Sequence, residues 1–215
     1  MQIIIFGSPG VGKGTQAKIL ASKLSIAHIS TGDILREAIK NKTDLGLKAK
    51  AIVDCGELVP DDIMGGIIRD VLKHDRCKNG FILDGFPRTI AQANLLETIL
   101  AEVGSSKKYL IKLDSDDNII IRRITNRMVC NVCGNILNKT EVKENFVCPV
   151  CKSQNSYMKR KDDDEDVIKR RLKVYHETTA PVFEFYKGKA SIIAIDGTQT
   201  IETVTNKILA QLKKY

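Results

Sequence analysis

The chain has 215 residues, of which 43% are hydrophobic and 28% are charged, so it can bury a substantial core and is not expected to be disordered. Its 34 lysines and arginines outnumber its 26 acidic residues. The resulting net charge of +8 favours anionic partners such as nucleotides, nucleic acid or an acidic membrane. Aromatic residues make up only 5% of the chain, which argues against a stacking surface for single-stranded nucleic acid.

Apolar runs alternate with segments of helical periodicity along the whole chain. Short apolar runs predict strands at residues 2–6, 26–30, 81–83, 109–113 and 192–195. Helical periodicity and terminal signals predict helices at residues 13–24, 32–40, 45–54, 91–103, 116–127, 164–186 and 201–212, and Pro60 begins a further one. Apolar strands that alternate with helices predict an α/β fold, in which helices cover both faces of a five-stranded parallel sheet.

A glycine-rich loop links the first predicted strand to the first predicted helix. It reads Gly7-Ser8-Pro9-Gly10-Val11-Gly12-Lys13-Gly14-Thr15. The glycines let backbone N–H groups point at a phosphate, and the helix N-terminus adds a partial positive charge. Lys13 would then reach the β- and γ-phosphates of a nucleoside triphosphate. The candidate triphosphate-binding residues in this loop are Gly10, Val11, Gly12, Lys13, Gly14 and Thr15.

This loop departs from the strict phosphate-loop pattern at one position. The pattern has Ser or Thr directly after the lysine, whereas here Gly14 intervenes and Thr15 carries the hydroxyl. We therefore expect phosphate oxygens and water to provide more of the Mg²⁺ ligands. The glycine spacing does not fit the dinucleotide-binding pattern.

Four of the six cysteines form two CxxC pairs that predict a metal site. Cys130 and Cys133 are separated from Cys148 and Cys151 by the fourteen residues 134–147. This spacing is typical of a structural zinc site with four thiolate ligands. An iron–sulfur centre and four free thiols remain as alternatives. Residues 129–159 show no helical period and are predicted to form an insertion stabilised by the metal.

The cysteines and the N-terminus also bear on the compartment. Unpaired or metal-bound cysteines are typical of a reducing compartment. The first residues are predicted to form a strand and not a signal peptide, and no run of about 18 apolar residues suits a membrane crossing. The sequence therefore predicts a cytoplasmic protein without a membrane partner.

Three further motifs carry a resemblance to a known family. They are Thr31-Gly32-Asp33-Ile34-Leu35-Arg36, Asp84-Gly85-Phe86-Pro87-Arg88-Thr89 followed by Gln92, and Arg160-Lys161-Asp162-Asp163 followed by Arg170-Arg171. Together with the phosphate loop, they closely resemble the adenylate kinase family over nearly the whole chain. The chain length and the CxxC pairs resemble the long bacterial type, which has a zinc-containing lid.

This resemblance implies an activity and a domain organisation. The activity is reversible, Mg²⁺-dependent phosphoryl transfer from ATP to AMP that yields two ADP and serves purine nucleotide homeostasis and salvage. The fold is a P-loop core of residues 1–29, 60–126 and 164–215. A small helical AMP-binding segment of residues 30–59 and a zinc-ribbon lid of residues 127–163 are inserted into this core.

The resemblance also implies an AMP site. Thr31 would lie near the adenine, Gln92 would hydrogen-bond its edge, and Arg36 and Arg88 would bind the phosphate. The other implied AMP-site residues are Glu57, Leu58, Val59, Gly85, Phe86, Pro87, Arg160 and Arg171.

The implied catalytic residues are mostly cationic. Arg123 and Arg127, one turn apart on the predicted helix, would bind the ATP phosphates. Arg160 and Arg171 would reach the AMP phosphate and the phosphoryl group in transfer, and Asp84 would orient Mg²⁺-bound water. Lys13 and Arg88 complete the implied set. Because phosphoryl transfer depends on positioning and charge stabilisation, guanidinium groups suit it well.

The predicted lid departs from the family pattern where the ATP base is held. Ile136 and Leu137 stand where relatives carry an aromatic–histidine pair, so they would pack on the ATP base or only within the lid. Gln199 stands where relatives have a loop near the ATP adenine.

Two alternatives to the adenylate kinase hypothesis remain. One is a kinase of the same fold that phosphorylates UMP or CMP. The other is a nucleic-acid-binding module that uses the positive charge and the cysteine pairs. The favoured hypothesis predicts ATP, AMP and ADP as ligands, no nucleic-acid partner and a monomer.

Overall fold

The computed structural model of the chain describes residues 1–104, 107–143 and 145–214. Its strands are β1 (Gln2–Gly7), β2 (Ala27–Ser30), β3 (Phe81–Asp84), β4 (Lys108–Asp114), β5 (Arg127–Cys130), β6 (Ile136–Asn138), β7 (Tyr157–Met158) and β8 (Ser191–Asp196). Its α-helices are α1 (Lys13–Leu24), α2 (Thr31–Lys40), α3 (Asp44–Asp54), α4 (Asp61–Leu72), α5 (Ile90–Val103), α6 (Asp117–Thr125), α7 (Glu165–Val174), α8 (Val182–Phe185) and α9 (Ile201–Leu212).

The central sheet has the strand order β2-β3-β1-β4-β8, and all of its strand pairs are parallel. This confirms the predicted α/β fold with a five-stranded parallel sheet. Side chains of β1 alternate between two apolar cores, because Ile3 and Ile5 enter one and Ile4 and Phe6 enter the other. Helices cover both faces, which explains why the strands are continuously apolar.

The sheet brings the two main sequence motifs together. The glycine-rich loop follows β1, and the Asp84–Thr89 segment follows its neighbour β3. In the register between these strands, Ile5 pairs with Asp84. Both loops therefore leave the carboxyl edge of the sheet side by side, where parallel α/β sheets bind ligands.

The cysteine-bearing segment forms a small sheet of its own. Its antiparallel order is β6-β5-β7, and Arg127 pairs with Asn138 at one end of β5. The predicted helix over residues 116–127 is therefore too long, because α6 ends at Thr125. Asn126 donates its side-chain amide to the carbonyl of Arg122, a bond that satisfies one of the last carbonyls of the helix.

The predicted helix over residues 164–186 is interrupted. After α7, residues Tyr175–Thr179 form a wider turn, in which the N–H of Ala180 donates to the carbonyl of Tyr175 at 2.8 Å. Pro181 has no N–H and follows directly, so α8 begins as a separate short helix. The prediction of one helix was wrong because this local rearrangement has little effect on apolar periodicity.

Among the described residues, no helix combines the length and apolar character that crossing a membrane would require.

Candidate active site

The glycine-rich loop curls around the amine of Lys13. Gly10 and Gly12 adopt positive φ angles of 78° and 108°, a conformation that residues with side chains rarely adopt. Lys13 begins α1, and its Nζ donates to the carbonyls of Gly7 at 2.7 Å and Ser8 at 2.9 Å. Burial lowers the pKa of Lys13 to about 7, although the carboxylate of Asp84 opposes this shift.

Asp84 lies against the first turn of α1. A Cβ at Gly14 would lie 3.2 Å from Asp84 Oδ2, so a side chain at this position would crowd the carboxylate. On its other side, Asp84 Oδ2 lies 3.6 Å from His28 Nε2, a buried atom with no hydrogen-bond partner among the described residues. The glycine that departs from the strict loop pattern therefore leaves room for Asp84.

A first cavity, with about 580 Å³ of empty space, lies between the segment of residues 30–59 and the loop after β3. Most of the residues predicted for the AMP site line it. They are Thr31, Arg36, Glu57, Leu58, Val59, Gly85, Arg88, Gln92 and Arg171. The predicted residues Phe86, Pro87 and Arg160 are not among its lining residues. Phe86 is only 1% exposed and packs in the core.

Backbone carbonyls orient the side chains at one wall of this cavity. The hydroxyl of Thr31 donates to the carbonyl of Gly85 at 3.0 Å, and Arg88 Nε donates to the same carbonyl at 2.8 Å. Gly85 has a φ of 86°, a backbone conformation that suits glycine. Burial and the positive charge of Arg171 lower the pKa of Arg88 to about 10, so Arg88 stays charged at neutral pH.

A second cavity, with about 510 Å³ of empty space, adjoins the glycine-rich loop. Lys13, Pro9 and Pro87 line it. It shares Arg88 and Arg171, along with Gly56, Leu58 and Gly85, with the first cavity. The two cavities therefore meet at two guanidinium groups beside Lys13.

Aspartates pair with three of the predicted arginines. Arg36 lies 2.6 Å from Asp33, and Arg171 lies 2.7 Å from Asp162. Arg127 pairs with Asp163 through both carboxylate oxygens, with Nε donating to Oδ2 at 2.9 Å. Each carboxylate offsets part of the positive charge of these arginines.

Arg160 is half-buried near Arg36 and Arg127. Burial, followed by the positive charges of Arg36 and Arg127, lowers its pKa to about 10. The segment of residues 30–59, β5 and the residues before α7 thus each bring an arginine to the same region.

Arg123 and Gln199 lie together at the loop after β8 and are not among the residues that line the two cavities. The guanidinium of Arg123 donates to the carbonyl of Gly197 at 2.7 Å and to that of Thr198 at 3.0 Å. Gln199 follows in the same loop, and within the described part of the chain its buried Oε1 has no hydrogen-bond partner. The expected helical pairing of Arg123 with Arg127 was wrong, because Arg127 belongs to β5 and not to α6.

Ile136 and Leu137 lie on β6, opposite Val129 and Met128 of β5. Ile136 is 40% exposed, so its side chain is accessible to a ligand.

The two CxxC pairs come together as predicted. The Sγ atoms of Cys130, Cys133, Cys148 and Cys151 all lie within 4.8 Å of one another. The Cys130–Cys151 and Cys133–Cys148 sulfur pairs are each 3.6 Å apart. Ligands about 2.3 Å from a tetrahedral zinc ion are separated by about 3.8 Å, so this donor set fits zinc.

Hydroxyl groups lie close to these sulfurs, and no sequence motif predicts them. Ser156 Oγ lies 3.1 Å from Cys130 Sγ, and Ser153 Oγ lies 2.9 Å from Cys151 Sγ. Hydrogen bonds of this kind orient metal ligands.

Sequence reasoning also missed two residues that support the first cavity. Asp61 accepts hydrogen bonds from Thr89 and Gln92, and Thr179 donates to the carbonyl of Arg88 at 2.9 Å. Both residues are distant in sequence from their partners, so no local pattern reveals these contacts.

Comparisons with known proteins agree with this geometry. A family model described as adenylate kinase matches residues 5–191. The chain is 45% identical over 215 residues to the adenylate kinase of Caldicellulosiruptor saccharolyticus, covering 99% of both chains. It is 45% identical over 219 residues to that of Methanocella arvoryzae, covering 100% of this chain and 99% of the relative. It is also 41% identical over 216 residues to that of Thermosipho africanus, covering 100% of both. The chain belongs to the adenylate kinase family.

Proposed function

We propose that this enzyme transfers the γ-phosphoryl group of ATP to AMP, giving two ADP, and thereby balances the adenine nucleotide pool. The observation that carries this proposal is the meeting of the two cavities at Arg88 and Arg171. Two nucleotides in these cavities would bring their phosphate ends together at the shared guanidinium groups. Family membership supports the same reaction.

The first cavity is proposed to bind AMP. Arg36 and Arg88 bind its phosphate, while Thr31 and Gln92 face the adenine. Glu57, Leu58 and Val59 line the base pocket, and the loop of Gly85, Phe86 and Pro87 helps to hold AMP. Arg171 and Arg160 reach the AMP phosphate from the opposite side. The support for this assignment is that most of these residues line one cavity.

The glycine-rich loop is proposed to hold the ATP phosphates through the backbone of Gly10, Val11, Gly12 and Gly14. Lys13 exchanges its two carbonyl partners for phosphate oxygens, to which it offers a stronger, charge-assisted hydrogen bond. Mg²⁺ bound with ATP would neutralise phosphate charge, and Asp84 and Thr15 are proposed to hold its water shell. Ile136, Leu137 and Gln199 are proposed to contact the ATP base.

Catalysis of the phosphoryl transfer is proposed to depend on charge stabilisation. The attacking group is an AMP phosphate oxygen, which is already anionic and needs no general base. Lys13 and the arginines at 88, 123, 127, 160 and 171 would surround the phosphates, offset their repulsion and hold them in line. Arg123 must leave its carbonyl partners in the loop after β8 to take part.

Residues 127–163 are proposed to be a lid, and residues 30–59 a second closing segment, on the core formed by the rest of the chain. The four cysteines would hold a structural zinc ion that keeps the small lid rigid. A rigid lid can exclude water, which would otherwise accept the phosphoryl group from ATP.

The protein is proposed to act as a monomer in the cytoplasm, with nucleotides as its partners and without nucleic acid or a membrane. The thiolate set supports a reducing compartment, where the zinc ligands stay unoxidised. The arginines of the two cavities are proposed to bind nucleotide phosphates. The net positive charge of the chain therefore does not indicate that it binds a nucleic acid.

A coupled assay with ATP and each of AMP, UMP, CMP and GMP tests the proposal. We expect AMP to give the highest kcat/KM. A kcat/KM for UMP or CMP above that for AMP would replace the proposal with a pyrimidine monophosphate kinase.

A further inference from the structure

Asp61 lies behind the wall of the first cavity, and its carboxylate holds the start of α5. Its Oδ2 accepts a hydrogen bond from the hydroxyl of Thr89 at 2.9 Å, and its Oδ1 accepts one from Gln92 Nε2 at 2.7 Å. Gln92 lines the first cavity, whereas Asp61 is not among the lining residues. Any effect of Asp61 on a ligand there must therefore pass through its neighbours.

The amide of Gln92 has a fixed orientation. Its Oε1 accepts from the backbone N–H of Arg88 at 2.7 Å, while its Nε2 donates to Asp61. A carboxylate can only accept and an N–H can only donate, so both neighbours require the same orientation. A flipped amide would lose both bonds, and Gln92 is only 2% exposed, so bulk water would not replace them.

We infer that Asp61 is a positioning residue that locks the Gln92 amide and so selects a 6-aminopurine monophosphate over a 6-oxopurine monophosphate. This inference rests on the proposed binding of AMP in the first cavity. The locked amide retains one further N–H on Nε2 and one further lone pair on Oε1 for a ligand.

The two kinds of purine present opposite patterns to such an amide. Adenine has an acceptor at N1 beside a donor at its 6-amino group. Hypoxanthine has a donor at N1 beside an acceptor at its 6-oxo group. A freely turning amide would pair with either base, but a locked amide matches one and opposes the other. Because Arg36 and Arg88 hold the phosphate, the base is not expected to flip within the cavity and so reverse the order of its donor and acceptor.

Replacement of Asp61 tests this inference through the choice between AMP and IMP. Asp61→Leu removes both acceptors at similar volume, and we expect it to raise the KM for AMP about tenfold or more, with kcat within about threefold. The ratio of kcat/KM for AMP to that for IMP should fall by about tenfold. Asp61→Asn should keep the wild-type ratio, because its oxygen can still accept from Gln92 while its NH₂ donates to Thr89.

Asp62→Leu is the matched control, since Asp62 is the neighbouring exposed acid in the first turn of α4. It removes the same charge at the same helix terminus, and it should leave the KM for AMP and the AMP-to-IMP ratio of kcat/KM unchanged. Asp61→Ala, which adds no bulk, replaces the leucine variant if that variant does not unfold cooperatively.

A double-mutant cycle separates positioning from a general structural effect. In a Gln92→Ala background, Asp61→Leu should change the AMP-to-IMP ratio less than about twofold, because its target is gone. An equal loss of selectivity with and without Gln92, or an unchanged ratio in Asp61→Leu itself, would overturn the inference. Wild-type phosphorylation of AMP is measured first, so failure of the proposed function is seen separately.

Discussion

Arg127 and Asp163 form a bidentate ion pair that joins the first residue of β5 to the short turn before α7. Arg127 donates through two guanidinium nitrogens, and the side chain of Asp163 is completely buried. Arg127 is the first residue of β5, and Asp163 directly precedes Asp164, the N-cap of α7. The ion pair therefore joins the two ends of the cysteine-bearing segment. A guanidinium proposed to bind ATP is thus held in place by a carboxylate.

Asp163→Asn should destabilise the protein, because it leaves the guanidinium of Arg127 largely buried without a counter-charge. We expect the free energy of unfolding to fall by about 3 kcal/mol, at the lower end of the cost of breaking a buried ion pair. Urea denaturation followed by circular dichroism measures it. Asp166→Asn, at an exposed acid in the first turn of α7, is the control and should stay within about 0.5 kcal/mol of the wild type. Equal effects of the two substitutions would contradict a structural role for the ion pair.

Lys13 should take up a proton when ATP binds. Its pKa is about 7 in the ligand-free protein, so at about pH 8 most molecules carry a neutral amine. Triphosphate favours the charged form and raises this pKa, so binding should take up close to one proton, and affinity should fall as the pH rises above 7. Calorimetry in buffers with different ionisation enthalpies measures the uptake.

Lys13→Ala serves as the control for this proton uptake and also tests the role of the lysine in transfer. The uptake at about pH 8 should disappear, and kcat should fall by about 10²–10³-fold while the fold stays intact. A folded variant with wild-type turnover would contradict the assignment of the phosphate loop.

The core of the fold could be predicted because its signals are local. Buried parallel strands are apolar on both faces, so segments such as Gln2–Gly7 stand out in the sequence. The glycine spacing around Lys13 likewise reflects backbone angles within one loop. The end of α6 and the break before Pro181 were missed, because the predictions followed apolar periodicity, which the strand pairing of Arg127 and a widened turn leave almost unchanged. Pro181 itself is a local sign of a helix boundary.

The candidate site was predictable in its motifs but not in its supporting contacts. Asp61 and Gln92 are thirty-one positions apart, and Thr179 and Arg88 are ninety-one positions apart. Such pairs depend on how α4, α5 and the turn after α7 pack together. Only the three-dimensional arrangement shows which acid orients the amide at the cavity wall.

Zinc removal should destabilise the proposed lid. We expect about one zinc ion per chain by metal analysis, and Cys130→Ser should lose it and lower the thermal midpoint, because a segment this small has little core of its own. Cys55→Ser is the control, since Cys55 is exposed and outside the sulfur cluster, and it should keep both the metal and the midpoint. Protein without bound metal, or a Cys130→Ser variant as stable as Cys55→Ser, would contradict the zinc assignment.

Thr179→Val should loosen the loop that carries Arg88. The buried hydroxyl of Thr179 donates to the carbonyl of Arg88, and valine has the same shape without the donor, so the carbonyl would lose this partner. We expect a loss of about 1 kcal/mol in the free energy of unfolding and a several-fold rise in the KM for AMP, with little change in the KM for ATP. Steady-state kinetics with each nucleotide varied in turn separates the two constants. Thr178→Val is the matched control, because the exposed hydroxyl of Thr178 bonds only within its own helical turn, to the carbonyl of Val174. If both variants raise the two KM values alike, the contact between Thr179 and Arg88 does not position the loop that carries Arg88.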